Sequence, residues 1–219
     1  MTIAVGQDAD ADCVCVIDDD PGVRGAIGSL LRSAGYEVRL YEGPSAFLAA
    51  GAPTVASCLI LDIRLSGENG LDFQERLSGH GIALPVVLIT GHGDIPMTVR
   101  GMRAGAIDFL PKPFDDEQLL AAVATALDTD RARRAQSAGI ADLTARYGRL
   151  TPREKDVMGL VVTGLMNKQV AGRLALSEIT VKIHRGNMMR KMEAQSLADL
   201  VRMAEQLGVR DETIHRFNI

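Results

Sequence analysis

The sequence predicts a doubly wound α/β domain, a (βα)5 unit on a five-stranded parallel sheet, followed by a smaller all-α domain of four helices. Three observations carry this. Over the first half of the chain, short apolar runs alternate with amphipathic stretches, which reads as buried parallel strands joined by helices. After Leu150 the strand pattern stops and only helical periodicity with short loops remains. Charge divides in the same place: residues 1–128 hold 8 Lys/Arg against 18 Asp/Glu, a net −10, and residues 129–219 hold 16 against 10, a net +6.

The elements follow in order. Residues 1–12 are small and acidic and are expected to be disordered. The first strand is Cys13–Ile17. Asp20 caps the next helix, Pro21 takes its first position, Ile27, Leu30 and Leu31 line its inner face, and Gly35 closes it. A strand over 37–41 leads to a short helix around 46–50 ended by Gly51, and a strand over 58–61 leads through a loop, 63–69, to a helix over about 70–77. The strand at 86–89 passes through Gly91-His92-Gly93-Asp94 into a helix around 97–102. The strand at 106–110 runs into Pro111-Lys112-Pro113 and a helix capped by Asp115, with Leu119, Leu120, Val123 and Leu127 inward. That α/β domain spans 13–128. Its last helix is expected to reach about Ala135, with a break at Gly139 inside a helical, Arg- and Ala-rich linker over 129–149.

Thr151-Pro152-Arg153-Glu154 is a capping box with Pro at the first helical position, a fairly specific start signal. Helices over 152–163, 167–174, 178–192 and 196–206 fill a domain at 150–210, with Asn167 and Ser177 as N-caps and a tail at 211–219. No run approaches the roughly 20 apolar residues of a membrane span. Cys13, Cys15 and Cys58 are too few for a disulfide framework and sit in strands, which suits a reduced cytoplasm.

Asp18 and Asp19, Asp62, Thr90 and Lys112 each lie at or just beyond the carboxyl end of an apolar run. Ligands of open parallel sheets bind there, where the strand order reverses, so the spacing predicts one pocket with three carboxylates, a hydroxyl and an ammonium. Mg²⁺ prefers oxygen ligands and keeps several waters, so Asp19 and Asp62 are expected as direct ligands, Asp18 through water, with the Arg64 carbonyl filling another position. Asp62 is the candidate nucleophile for phosphoryl transfer, with Lys112 and the metal neutralising the phosphoryl charge and the Thr90 hydroxyl bonding one of its oxygens. A dehalogenase-type phosphatase would want a second Asp two residues beyond Asp62, where Arg64 stands.

Ile17-Asp18-Asp19-Asp20, Leu61-Asp62-Ile63-Arg64, Ile89-Thr90-Gly91 and Leu110-Pro111-Lys112-Pro113-Phe114 resemble the receiver domain of two-component response regulators. The resemblance implies that Asp62 takes a phosphoryl group from a sensor histidine kinase, that Thr90 and Phe109 form the switch pair, and that Lys112-Pro113 is cis. It also implies that Arg64 and His92 stand where the family tunes phosphoryl lifetime. Where the family carries Met-Pro-Gly, this chain has Leu65-Ser66-Gly67, and loss of the proline is expected to loosen the loop. A receiver-like regulator switched by cysteine oxidation, without phosphate, is the alternative.

In the basic half, Gly164 to Ala171 followed by Ser177 to Arg185 reads as helix–turn–helix. Val181, Met188 and Met192 share an inward face, while Lys182, Ile183, Gly186 and Arg190 fall opposite, and an exposed Ile between cations suits a thymine methyl in the major groove. Residues 150–206 resemble the LuxR-type DNA-binding domain of FixJ/NarL regulators, and Gly91 to Met97 place the chain nearest the FixJ branch with its StyR-like members. The resemblance implies that Lys182 and Ile183 reach bases, that Lys168, Thr180 and Arg185 hold phosphates, and that Leu197, Leu200 and Val201 form a dimer helix. The expected protein is therefore a transcriptional regulator, not an enzyme beyond its own phosphotransfer and autodephosphorylation. Its implied partners are a sensor kinase, promoter DNA, a second copy after phosphorylation, and RNA polymerase.

Overall fold

The computed structural model describes residues 11–91 and 95–209; most of the N-terminal stretch, His92 and the tail at 211–219 lie outside the described residues. Packing divides the chain into two units that meet between Arg134 and Ala135.

In the first unit five strands, β1 (Cys13–Ile17), β2 (Glu37–Tyr41), β3 (Ser57–Asp62), β4 (Val86–Thr90) and β5 (Asp108–Pro111), form a sheet in the order β2-β1-β3-β4-β5. All the pairings are parallel, so the order reverses between β1 and β3. The alternation of strand side chains builds two cores. Cys13, Cys15, Ile17, Leu59, Leu61 and Leu88 pack with Phe47 of α2 (Pro44–Ala50) and with Leu71 and Phe73 of α3 (Gly70–Arg76). Val14, Val16, Ile60, Val87 and Ile89 pack on the other face against Ile27 and Leu31 of α1 (Pro21–Ser33) and Leu119 and Val123 of α5 (Asp116–Gly148). A helix α4 (Ile95–Arg103) lies between β4 and β5 in sequence.

Three differences from the sequence expectation have a clear physical cause. β5 begins at Asp108 rather than 106, because the Ile107 amide bonds the Val86 carbonyl and fixes the register Thr90 opposite Pro111. Asp12 is ordered: its carbonyl accepts from the Glu37 amide and its carboxylate pairs with Arg131. The expected break at Gly139 is absent, since α5 runs unbroken to Gly148. One glycine costs a helix only about 1 kcal/mol, and the surrounding Ala, Arg and Leu residues are strong helix formers.

In the second unit α6 (Pro152–Val161), α7 (Asn167–Leu174), α8 (Glu178–Met192) and α9 (Leu197–Gln206) close around Val157, Met158, Val170, Val181, Met188, Met192 and Leu200. The Thr151–Glu154 capping box forms as expected, and Lys191 pairs with the buried Glu154 at 2.7 Å. Among the described residues no helix is long and apolar enough to cross a membrane.

Candidate functional site

The strand register levels the carboxyl ends of the sheet. Ile17 lies beside Leu61, Asp62 beside Ile89, and Thr90 beside Pro111, so the residues that follow converge. Asp18 and Thr90 are fully buried and Asp62 nearly so, while Asp19 is half-buried. One carboxylate oxygen from each of Asp18, Asp19 and Asp62 lies within 4.8 Å of the others. Lys112 Nζ reaches Asp18 Oδ2 at 2.7 Å and Asp62 Oδ2 at 2.5 Å.

Backbone and side-chain bonds fix each of these groups. Arg24 Nη1 donates to the Asp18 carbonyl at 2.5 Å, the Asp20 amide to Asp18 Oδ1 at 2.9 Å, and the Arg64 amide to Asp62 Oδ1 at 2.9 Å. The Lys112 amide bonds the Thr90 carbonyl at 2.7 Å, and the Lys112-Pro113 peptide is cis, as the family resemblance implies. Phe109 is half-buried opposite Leu88 and packs on the α2–α3 side of the sheet.

The electrostatics suit a cation. Burial raises the Asp18 carboxyl above the ordinary range, more than the Lys112 ion pair lowers it. Burial also works against the Lys112 charge, but its bonds to Asp18 and Asp62 outweigh that and hold its pKa above the ordinary lysine value. Three carboxylates against one ammonium leave negative charge uncompensated, and an all-oxygen donor set fits a hard divalent ion such as Mg²⁺.

The loop after Asp62 lacks the family's proline, and other contacts hold it in place. Arg64–Leu65 pairs antiparallel with Glu68–Asn69 around a turn in which Gly67 takes φ +91°, and Ser66 bonds Asp19 Oδ2 through its amide at 3.1 Å and its hydroxyl at 2.5 Å. Gly70, which the sequence marked only as a helix start, has no room for a side chain. A Cβ there would lie 2.1 Å from the Asp62 carbonyl oxygen.

In the second unit Ser177 caps α8, accepting from the Thr180 amide at 3.1 Å, and α7 turns into it through Ala175 in the left-handed region. Asn167 is not the N-cap of α7. Met166 holds that place, its amide bonded by the Gln169 side chain at 2.8 Å, and Asn167 Oδ1 accepts from Arg185 Nη1 at 3.1 Å instead. Lys168 and Lys182 are exposed, Thr180 and Arg185 are half-buried, and Ile183 is 58% exposed while Val181 is fully buried. Ile179, one turn before Ile183, is 73% exposed and went unnoticed in the sequence. Leu200 is fully buried within its own domain core, so it is not available to a dimer face; Leu197 is 38% exposed and Val201 half-buried.

Residues 14–124 match the response regulator receiver domain family, and residues 149–204 match the luxR family of bacterial regulatory proteins. The chain belongs to the FixJ-like response regulators. It is 53% identical to nodulation protein W of Bradyrhizobium diazoefficiens over 90% of this chain and 86% of that one. With the transcriptional regulatory protein FixJ of Azorhizobium caulinodans it shares 41% identity over 90% and 93%. The solved response regulator StyR superposes with a TM-score of 0.81 at 46% identity, over 90% of this chain and 99% of that one. A receiver joined to a LuxR-type module makes this response regulator a DNA-binding transcription regulator rather than a catalytic enzyme.

Proposed function

We propose that this response regulator is switched by phosphorylation of Asp62 and that the switch promotes receiver dimerisation and operator binding. The observation that carries the reading is Asp62 Oδ2 held 2.5 Å from Lys112 Nζ, beside Asp18, Asp19 and the buried Thr90. The Asp62 carboxylate attacks the phosphorus of a sensor kinase's phosphohistidine. A P–O bond forms as the P–N bond breaks, and the imidazole leaves with the electron pair and takes up a proton. Asp18, Asp19, Asp62 and the Arg64 carbonyl would hold Mg²⁺, which supplies charge neutralisation for the transferring phosphoryl group. Lys112 shares that role, and the Thr90 hydroxyl bonds a phosphoryl oxygen with Phe109 following it inward. An apolar groove of about 270 Å³ beside Lys112, lined by Val23, Ala26, Ile27, Leu30, Pro113 and Phe114, offers the kinase a surface next to the acceptor.

In the basic module Lys182 and Ile183 read bases, while Lys168, Thr180 and Arg185 steady phosphates. Leu197 and Val201 are the members of α9 left to a second copy, and two linked half-site contacts then gain effective concentration over one. RNA polymerase at the promoter and a cytoplasmic setting complete the reading, and autodephosphorylation resets it. Burial pushes Cys58 up to about 12, while the hydrogen bond between Cys13 and Cys15 raises Cys15 and lowers Cys13; what opposes a redox switch is that all three thiols are buried away from solvent oxidants.

Intact-mass spectrometry after treatment with acetyl phosphate and Mg²⁺ should show one added phosphoryl group, absent in Asp62→Ala. Full incorporation in the variant would refute the acceptor. Sedimentation should find a monomer at micromolar concentration without phosphodonor and a tighter-binding dimer with it. Equal mass and equal operator affinity in both states would remove the switch.

A further inference from the structure

The loop from Arg64 to Asn69 touches two of the three pocket carboxylates. At one end the Arg64 amide holds Asp62 Oδ1, and at its turn Ser66 places both of its donors on a single oxygen of Asp19. Asp19 lies 47 residues earlier, at the end of β1, so the contact ties two loops of the sheet edge together. The turn that presents Ser66 is fixed by the short antiparallel pair on either side and by Asn69, whose side chain accepts from the Leu71 amide at the start of α3. A proline at this position, as in the family pattern, has neither an amide hydrogen nor a hydroxyl. Neither contact is open to that proline.

Asp19 is the least buried of the three carboxylates, and a half-exposed carboxylate with no partner would turn freely. Ser66 removes that freedom. With Oδ2 bonded by both Ser66 donors, the carboxylate is fixed where it offers an oxygen within 4.8 Å of those of Asp18 and Asp62. Groups that hydrogen-bond a ligating carboxylate orient it, and losing them weakens metal binding.

We propose that Ser66 is a positioning residue that aims the Asp19 carboxylate at a divalent cation and so sets the metal affinity of the pocket. This rests on the Mg²⁺ reading given above. Calorimetric titration of MgCl₂ into the full chain, with no phosphodonor present, tests it on the wild type, Ser66→Ala, Ser66→Thr and Asp19→Asn. Ser66→Ala should raise the Mg²⁺ Kd on the order of tenfold. Ser66→Thr, which keeps the hydroxyl, should restore the wild-type value, which a loss of general loop structure would not allow. Ser66→Ala binding Mg²⁺ as tightly as the wild type, or more tightly, would overturn the proposal while the metal site itself stood. A wild-type chain that gave no more binding heat than Asp19→Asn would overturn the Mg²⁺ reading, and this proposal with it.

Discussion

Gly70→Ala should damage the pocket without touching any group that does chemistry. The added Cβ would stand 2.1 Å from the Asp62 carbonyl oxygen and 2.9 Å from Ile63 Cα, and both are backbone atoms that no rotamer change can move. Ordinary contact begins near 3.4 Å, so strand end and helix start must separate by about 1.3 Å. The Gly70 amide also bonds the Ile63 carbonyl at 2.9 Å, and that bond resists the separation. Overpacking of this kind costs about 1–3 kcal/mol. The displaced atoms belong to Asp62, whose carboxylate must meet Lys112 and the incoming phosphorus, and a misplacement near 1 Å costs such a reaction on the order of 100-fold. Urea unfolding monitored by far-UV circular dichroism measures the first effect, and the rate of phosphoryl incorporation from acetyl phosphate by intact mass measures the second. Gly25→Ala is the control: nothing lies within 4 Å of its Cβ on α1, so it should be neutral or stabilising by about 0.5–1 kcal/mol. A Gly70→Ala protein with wild-type stability and wild-type phosphorylation rate would refute the reasoning.

The remaining predictions concern other parts of the chain. Asp130→Ala should lower stability at neutral pH by about 2–4 kcal/mol, because Asp130 is fully buried and accepts from the Ser57 amide at 3.0 Å, Arg133 at 2.5 Å and Arg134 at 2.5 Å. Burial alone would raise that carboxyl, yet Arg134, the Ser57 amide and Arg133 outweigh it and hold it low. A depressed carboxylate stabilises above its unfolded pKa of about 3.9 and loses the effect as pH falls through the folded value, so the urea midpoints of the two proteins should converge in acid. Ile183→Ala should cost roughly 1–3 kcal/mol of operator binding and relax preference at one position, read by gel shift on a panel of operator variants. Asn167→Ala should free Arg185 and weaken all sequences alike by roughly 1 kcal/mol; a sequence-selective loss would contradict the positioning role.

Much of the fold was legible because its signals are local. The strands announce themselves as apolar runs, and alternation sends Cys13 and Cys15 to one core and Val14 and Val16 to the other. The caps at Asp20, Thr151 and Ser177 bond as their positions suggest. Gly139 misled because a glycine is weak punctuation when strong helix formers stand on both sides. The buried Asp130 was invisible for a different reason: within the helix it reads as one of several solvated charges, and its partner, the Ser57 amide, lies 73 residues away.

The same physics separates what was read correctly in the pocket from what was not. Asp62, Thr90 and Lys112 could be placed because strand ends set their positions, and register does the rest. Ser66 and Asn167 could not, because each is a short polar side chain with a plausible local use, one in a loop and one at a helix start. Locally, replacing a proline by Ser66 removes a backbone constraint, and Asn167 is a good N-cap residue. In the folded chain both side chains go to partners far off in sequence: Ser66 to Asp19 and Asn167 to Arg185. Each of those partners is a group proposed to bind a ligand, the cation in one unit and a DNA phosphate in the other. A departure from a family's local pattern is therefore better tested by asking which distant ligand-binding group it reaches than by asking what local order it removes.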